Sequence, residues 1–420
     1  MNILFLDAYY EPETIAYTHL ERDLIEGLIS DGHKIDIICP IPTRGIDKKT
    51  REKYKNKKLE KKYNGFVTVK RFMAPQEGKN PLGRAFRYFW CNFRTYQIAV
   101  KNKDIDIVFS NSTPPTQGAL SALVARRLSK KTGKKVPFLY NLQDIFPDSL
   151  VNSNLTHKDS ILWKIGRKLE NFTYRHADKI IVISQSFKRN LLAKGVSEKK
   201  IEIISNWIDL ESVHPVERKD NKLIDEFNLD PSKFFVVYAG NFGAAQGADI
   251  IIKVAMELQE YNNIQFVIFG GGPYFEEAKK QSENLPNVFI HELMPQNRIS
   301  EVYSLGDVAL ITCKKGTGNA GMPSKTWSIM ACNTLIIASF DEESDLADVI
   351  KNSGAGVCVN PEDVFALSDA IVKASKMKKN NSDHNELREY VLEMASKQIG
   401  VREYKDLIVA LGSTGISINS

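Results

Sequence analysis

Apolar runs of strand length alternate with helical patterns along the chain. The opening NILFLDAY has the length of a buried strand, Leu20, Leu24 and Leu28 then recur at helical spacing, and IDIICP is a second buried strand. This predicts a β-α-β unit, and the same alternation returns at DIDIVFSN, PFLYNLQD and KIIVIS. Strands that are apolar on both faces and alternate with helices predict a parallel sheet covered on each side.

A polar stretch interrupts this alternation at residues 206–222, and a second series of strands and helices follows it from KFFVVYAGN to GVCV. We therefore predict an α/β protein with two Rossmann-like domains, residues 1–210 and residues 211–395. The final segment, about 396–420, is helical by periodicity. It can dock on either domain, and the first is our assignment.

Composition narrows the class of protein. A chain of 420 residues, 43% hydrophobic and 26% charged, is typical of a soluble globular protein with more than one core. Neither a secretory leader nor an apolar span of bilayer length is visible, so a cytoplasmic location is expected. The five scattered cysteines include no CxxC pair and indicate neither a disulfide framework nor a zinc site.

Charge is distributed unevenly although the net value is only +6. The excess lies in residues 43–66 and 80–103, which suggests an anionic partner for the first half of the chain. The second of these segments also carries many aromatic residues. A helix of this kind can lie in a membrane interface, or it can be an ordinary helix packed on the edge of a domain.

Two glycine turns in the second half are candidates for anion binding. They are VVYAGNFGAAQG, at 236–247, and VIFGGGPYFEEAKK, at 267–280, and each lies where a strand gives way to a helix. Such turns expose backbone N–H groups, although either one alone can be purely structural. Two in consecutive units favour a nucleotide diphosphate. In tandem parallel sheets the ligand is expected at the carboxyl ends of the strands, in a cleft between facing domains.

The stretch GMPSKTWSIMAC, at 321–332, places Lys325 in the predicted first turn of a helix, with Ser324 as a possible cap. The helix dipole opposes a cation at this position. A bound anion would explain the placement, and a solvated lysine is the alternative.

The order of these segments resembles a known family. YAGNFGAAQGAD, FGGGP, GMPSKTWSIMA and SGAGVCVNPEDV are similar to the donor half of the retaining family 4 glycosyltransferases, which have the GT-B fold. YYEPE, NLQDIFPDS and HADKIIVISQSFKRNL agree in the first half. The most similar branch contains bacterial O-antigen and capsule enzymes such as the L-fucosamine (N-acetyl-fucosamine) transferases.

The sequence also departs from the family pattern. Asn241 and Gln246 stand where many members have an Arg and a Lys, and Ser328 replaces the second acid of a paired-glutamate motif. The resemblance then leaves Lys325 as the main partner of the diphosphate, assisted by Lys314 or Lys315. The expected donor-binding residues are Gly240, Asn241, Phe242, Gly243, Gln246, Gly270, Gly271, Gly272, Leu293, Lys314, Gly321, Met322, Pro323, Ser324, Ser328, and Glu342 or Glu343 for the ribose.

The resemblance implies a metal-independent hexosyltransferase that acts with retention. It needs no cofactor, since a nucleotide sugar, expected to be a UDP-sugar, is the substrate. Lys325 and Asp144 are the candidate catalytic residues, and Asp144 can equally be a turn aspartate. Tyr9, Asn111 and Thr113 are the candidate acceptor-binding residues. We reject a metal-binding role for the DID sequence at 104–106, because it lies at the start of a strand.

The acceptor expected from the resemblance is a polyprenyl-pyrophosphate-linked saccharide of O-antigen or capsule synthesis, so we predict peripheral association with the inner face of an anionic membrane. A GT-B nucleotide-sugar epimerase and a non-enzymatic nucleic-acid-binding protein are the alternatives, and the second would leave the glycine turns without a role. We expect no nucleic-acid partner. The predicted membrane contacts are Arg84, Phe86, Arg87, Trp90 and Arg94.

Overall fold

The computed structural model describes residues 1–15, 17–78, 80–152, 156–377 and 385–413. The chain forms two compact units, one of Met1–Ser205 together with the segment from Gly400, and one of Asn206–Ile399. Each unit is built on a sheet whose strands alternate with helices along the chain. The α/β architecture predicted from the apolar pattern is confirmed.

The first unit contains an eight-stranded sheet within the described residues. Its strands lie in the order β3-β4-β2-β1-β5-β6-β7-β8 and are parallel, apart from β3, which pairs antiparallel with β4. The strands are β1 (Asn2–Leu6), β2 (Lys34–Pro40), β3 (Leu59–Lys62), β4 (Val67–Phe72), β5 (Ile107–Asn111), β6 (Phe138–Leu142), β7 (Lys179–Val182) and β8 (Ile201–Ile203).

Helices cover this sheet, because strands such as β5 and β6 are buried along their whole length and need apolar cover on both faces. Helix α4 packs against both α3 and α6. The helices are α1 (Thr18–Ser30), α2 (Lys48–Lys55), α3 (Pro81–Ala99), α4 (Gln117–Thr132), α5 (Asp148–Asn152), α6 (Ile161–His176) and α7 (Gln185–Ala193).

The basic segment at 43–66 forms helix α2 and strand β3. Asp47 caps α2 by accepting a hydrogen bond from the Thr50 N–H at 2.8 Å. Strand β3 follows as an antiparallel edge strand, and its lysines suit a sheet edge because charged side chains oppose pairing with another chain.

The second unit contains a six-stranded parallel sheet within the described residues, in the order β11-β10-β9-β12-β13-β14. Apolar clusters fill both of its faces. Its strands are β9 (Phe234–Asn241), β10 (Ile264–Gly271), β11 (Val288–Glu292), β12 (Val308–Thr312), β13 (Leu335–Ser339) and β14 (Gly356–Val359), and its helices are α8 (Leu223–Glu226), α9 (Asp249–Glu257), α10 (Phe275–Ser282), α11 (Ile299–Leu305), α12 (Lys325–Ala331), α13 (Asp345–Ser353), α14 (Val364–Lys376) and α15 (Glu386–Ala395).

Helix α16 (Lys397–Ser413) returns the chain to the first unit. Tyr404 is buried there, and its hydroxyl donates to Asn141 Oδ1 at 2.9 Å. Gly27 of α1 leaves room for this helix, since a Cβ at Gly27 would lie 2.4 Å from Val401 Cγ1. The remainder of the predicted helix, residues 414–420, lies outside the described residues.

Candidate functional site

The two predicted glycine turns lie side by side at the carboxyl ends of β9 and β10. The Phe242 N–H donates to the Gly271 carbonyl at 2.7 Å, and the Tyr274 N–H donates to the Phe242 carbonyl at 3.1 Å. Leu293, just after β11, is exposed beside the second turn, where a Cβ at Gly271 would lie 3.3 Å from its Cδ1. The second unit therefore brings the residues of both turns together.

A loop after β12 closes the first turn. Thr312 Oγ1 donates to the Gln246 carbonyl at 2.7 Å, and the Lys314 N–H donates to the Ala245 carbonyl at 3.0 Å. Gly247 has a φ of +57°, and a Cβ there would lie 2.9 Å from the backbone of Cys313. Packing therefore requires glycine at this position, whether or not an anion binds.

Asn241 and Gln246, which stand in place of the family's two cations, face each other across the first turn. Their side chains approach to 3.5 Å between Nδ2 and Oε1, and both touch the space above Gly243, where a Cβ would lie 2.5 Å from each. The turn therefore presents amide groups rather than positive charge.

Lys325 brings its ammonium to this turn. Its Nζ lies 4.1 Å from the centre of the Tyr238 ring, and a Cβ at Gly240 would lie 2.5 Å from Nζ. The aromatic face attracts the cation. Among the described residues no carboxylate pairs with it, and burial lowers the pKa of Lys325 to about 7. A half-buried cation that lacks a counter-ion in the described part of the chain is the central feature of the site.

The helix around Lys325 differs slightly from the prediction. Lys325 is the first residue of α12, as predicted, and Pro323 precedes the helix. Ser324 occupies the N-cap position, but its side chain makes no capping hydrogen bond. Met322 is partly buried against the core, and Ser328 is buried.

Lys314, the second predicted cation, is already neutralised. Its Nζ lies 3.2 Å from Asp249 and 3.1 Å from Glu362, and these carboxylates raise the pKa of Lys314. A ligand phosphate would have to compete with both. Lys325 and Lys314 thus occupy opposite electrostatic environments within one unit.

Asp341, which we did not predict from the sequence, organises the loop between β12 and α12. Its carboxylate accepts from the Gly316 N–H at 3.0 Å and from the Gly318 N–H at 2.7 Å. Its position just after strand β13, at the carboxyl end of the sheet, is the feature of the sequence that could have identified it. Glu342 and Glu343, the ribose candidates, are exposed next to it, and Glu342 lines an open cavity of about 330 Å³ with Asp341 and Glu362.

In the first unit, Asp144 follows β6 and is exposed. The loops after β5 and β6 are joined by Ser112, whose Oγ accepts from the Gln143 N–H at 3.0 Å and from the Asp144 N–H at 3.1 Å. Thr113 is half-buried directly after Ser112. Asp144 and Thr113 therefore lie on adjoining loops at the carboxyl edge of this sheet.

Tyr9 and Asn111 are buried, which differs from the exposure that an acceptor-binding residue needs. The Tyr9 hydroxyl donates to Glu77 at 3.2 Å. Asn111 Nδ2 donates to Glu21 at 2.8 Å and to Asp7 at 3.3 Å, and its Oδ1 accepts from Asn141 at 2.7 Å. This amide therefore belongs to a buried polar network, in which burial raises the pKa of Asp7.

Helix α3, the predicted membrane helix, exposes an apolar stripe. Leu82, Phe86, Phe89 and Phe93 are exposed at spacings of four, three and four residues, which places them on one face. Of these four, only Phe86 was among the predicted membrane contacts. Within the described residues, no helix is both long enough and apolar enough to cross a bilayer.

Arg87 corrects the prediction for this helix. Only 1% of its surface is exposed, its Nη2 donates to Thr43 Oγ1 at 2.6 Å, and its guanidinium lies 5.8 Å from the centre of the Tyr9 ring. It therefore holds α3 against the unit and cannot reach a lipid. Trp90 is half-buried and donates to the Met73 carbonyl at 2.9 Å, and Arg94 is half-buried beside Gln97.

Arg84 alone among the three predicted cations of α3 is exposed, where it donates to the Tyr88 hydroxyl at 3.2 Å.

The DID sequence lies at the opposite end of the sheet from Asp144. Asp106 there accepts a hydrogen bond from the Asn2 N–H at 2.7 Å, at the start of β1. The described residues contain no group of three His, Cys, Asp or Glu side chains suited to a metal ion.

Replacing Lys325 with Met should stabilise the protein more at pH 6 than at pH 9. The pKa of Lys325 is about 7 in the folded protein and near the ordinary 10.5 in the unfolded chain, so the unfolded chain binds more protons between these values and acid favours unfolding. The Met variant lacks this penalty. We expect the free energy of unfolding of the variant minus that of the wild type, measured in urea titrations, to be larger at pH 6 than at pH 9 by about 1 kcal/mol or more.

Lys314→Met is the matched control. Because carboxylates raise the pKa of Lys314, removing this cation should lower stability at both pH values. If the difference in free energy of unfolding between Lys325→Met and the wild type does not change with pH, burial does not lower the pKa of Lys325.

Comparison with known proteins shows which family of enzymes the chain is similar to. Residues 21–212 match the model described as Glycosyltransferase Family 4, and residues 219–394 match the model described as Glycosyl transferases group 1. The chain is 27% identical to the probable glycosyltransferase WbjE of Pseudomonas aeruginosa, over 71% of this chain and 74% of WbjE. It is 26% identical to the putative colanic acid biosynthesis glycosyl transferase WcaI of Escherichia coli K12, over 64% and 67%.

A solved structure shares the fold. HepE of Anabaena, in complex with UDP and glucose, superposes with a TM-score of 0.68 at 15% identity and covers 98% of this chain and 100% of HepE. Both family models describe glycosyltransferases, and they do not favour the epimerase alternative. Since the two family models together span most of the chain, the protein belongs to the GT-B glycosyltransferases that join a family 4 N-terminal half to a group 1 C-terminal half.

Proposed function

We propose that this protein transfers a sugar, with retention, from a UDP-sugar to a lipid-linked saccharide during synthesis of a surface polysaccharide. The observation that carries the proposal is Lys325, a cation without a counter-ion among the described residues, beside two glycine turns. A nucleotide diphosphate supplies the negative charge that this position lacks. Its binding would favour the charged form of Lys325 and offset the cost of burying the ammonium.

The same placement suits the chemistry of transfer. As the bond between the sugar and the diphosphate breaks, negative charge accumulates on the leaving phosphate. An ammonium fixed near Gly240 stabilises that charge more in the transition state than in the ground state. Backbone N–H groups of the glycine turns can help to stabilise this negative charge. Asn241 and Gln246 contribute no positive charge, because their side chains are amides. Lys325 thereby acts as the catalytic cation, and no metal ion is required for this role.

The nucleotide and the pathway are proposed from relatives. HepE is described in complex with UDP and glucose, and WcaI is named for colanic acid biosynthesis. An N-acetylated 6-deoxyhexosamine such as N-acetyl-fucosamine is the donor sugar that the family resemblance suggests. Glu342 and Glu343 are the candidates for the ribose hydroxyls, because both carboxylates are exposed after β13.

We assign binding of the acceptor to the first unit. Asp144 is exposed on the loop after β6 and can accept a hydrogen bond from the acceptor hydroxyl or from the donor sugar. A polyprenyl-pyrophosphate-linked acceptor requires the enzyme to work at a membrane, at its inner face. The exposed stripe of α3 supports this, because aromatic residues favour the headgroup region.

Mixing the protein with UDP-, GDP- and dTDP-sugars tests the donor proposal. We expect a UDP-sugar to raise the melting temperature, and Lys325→Gln to weaken its binding about tenfold or more because a charged contact to the diphosphate is lost. Lys253→Gln, on the exposed face of α9, is the control and should bind normally. Stabilisation by none of the three nucleotide sugars would reject the donor class, and equal affinity in Lys325→Gln would reject the role of Lys325.

Binding of a UDP-sugar should also weaken as pH rises above 7. The free enzyme loses the charge on Lys325 near this pH, whereas the pyrophosphate of a UDP-sugar does not titrate there. Binding then takes up a proton, and calorimetry at pH 6.5 and 8.5 should show affinity falling about threefold or more. Lys325→Gln should show no such dependence. An equally steep dependence in that variant would assign the titration to another group.

Substituting the α3 stripe tests membrane association. Phe86→Gln, Phe89→Gln and Phe93→Gln together should lower partitioning into vesicles that contain phosphatidylglycerol by about tenfold, because three exposed aromatic side chains are removed. Phe365→Gln and Met377→Gln, which remove exposed apolar residues of the second unit, form the control. Partitioning that is unchanged by the α3 substitutions would remove this helix from the membrane surface.

A further inference from the structure

Helix α6 carries an exposed apolar face that the sequence did not single out. Ile161, Leu162 and Ile165 are 80%, 51% and 53% exposed, and their spacing places them on one side of the helix. The opposite side, with Gly166, Glu170, Thr173 and Tyr174, is buried against the unit. The apolar face is therefore additional to the side that the fold uses.

Basic residues border this face. Lys164, Lys168 and Arg175 are exposed, and their positions in the helical repeat place them in one row along the edge of the apolar face. The only carboxylate of α6, Glu170, is buried and is bonded to Lys194 and to the Tyr174 hydroxyl. The outer surface of α6 is thus apolar and cationic and carries no negative charge of its own.

The packing of α6 fixes where this surface lies. Its C-terminal half rests on α4, since a Cβ at Gly118 would lie 2.4 Å from Thr173 Cγ2, and Arg126 lies 3.0 Å from His176. Its N-terminal half extends over the loop that follows β6, where a Cβ at Gly166 would lie 2.8 Å from both Phe146 and Pro147. Asp144 belongs to that loop.

We propose that the outer face of α6, formed by Ile161, Leu162, Ile165, Lys164 and Lys168, is a second membrane-docking surface that binds anionic lipid. An apolar face bordered by lysines matches the two layers of a membrane interface, because the apolar side chains enter the acyl boundary and the ammonium groups meet lipid phosphates. The outer side of α6 itself carries no carboxylate, which supports this occupant, because acidic groups on that side would repel lipid phosphates.

The α6 face explains how the enzyme presents its acceptor loop. Contact through α3 alone leaves the unit free to rotate about one helix. With the α6 face as a second contact, the loop of Asp144, which lies under the same half of α6, is held next to the bilayer surface. An acceptor anchored in that bilayer then meets the loop without leaving the membrane. This inference rests on the proposed lipid-linked acceptor.

Vesicle binding of the full chain tests the α6 face. We expect Ile161→Gln, Leu162→Gln and Ile165→Gln together to lower partitioning into phosphatidylcholine vesicles with phosphatidylglycerol by about tenfold, since three exposed apolar side chains are lost. Glutamine keeps the helix, because its propensity is close to that of Leu. The substitutions Phe365→Gln and Met377→Gln again serve as control.

A charge test is independent of the apolar one. Lys164→Gln and Lys168→Gln together should reduce binding to anionic vesicles and flatten its salt dependence, and binding to vesicles of phosphatidylcholine alone should change little. Thermal unfolding and UDP-sugar binding should match the wild type in both α6 variants, because these residues are exposed and lie in the first unit.

The outcomes separate the inference from the proposed function. If the α3 variant loses partitioning and the α6 variant keeps it within twofold, the α6 face is not a membrane contact, and membrane docking through α3 stands. If the wild type binds no vesicles, both membrane surfaces are rejected, and UDP-sugar binding decides the transferase proposal separately. Self-association of the wild type in lipid-free solution that is abolished by the α6 substitutions would assign this face to a second copy of the chain and overturn the proposal.

Discussion

The candidate donor site depends on one arrangement, the ammonium of Lys325 held between the Tyr238 ring and the backbone of Gly240. Strand β9 supplies both neighbours, so the sheet itself fixes the cation. A Cβ at 240 would lie 2.5 Å from Nζ, so a side chain there would displace the ammonium from this position. The ring offers attraction without a countercharge, which leaves the cation available for a ligand. By contrast, Lys314 is held by two carboxylates and serves the loop structure.

The sequence was sufficient for the architecture. Continuous apolar strands such as β5 and β10 and the glycine turns predicted two parallel sheets, because these patterns depend on local spacing. Lys325 was chosen from the sequence as a candidate contact for the diphosphate, and its ammonium lies beside the first turn. Its contact with Tyr238 was not predictable, since it joins α12 to β9 across more than eighty residues.

The misplaced residues share a cause. Arg87 was predicted as a membrane contact and Asn111 as an acceptor contact, but both are buried among partners that are distant in sequence. The outer face of α6 was missed for the converse reason. Its apolar residues fit a helix packed on a sheet equally well, and only the structure distinguishes the buried side from the exposed one.

Helix α16 has a consequence for biosynthesis. The first unit contains Met1–Ser205 but is completed by a helix that lies after the whole of the second unit, and Tyr404 of that helix is buried beside Phe109 and Asn141. On the ribosome, the early sheet must therefore wait while almost two hundred further residues are made. During that interval the site for α16 is uncovered, and a nascent chain with an open apolar surface is the stage at which a chaperone has most to protect.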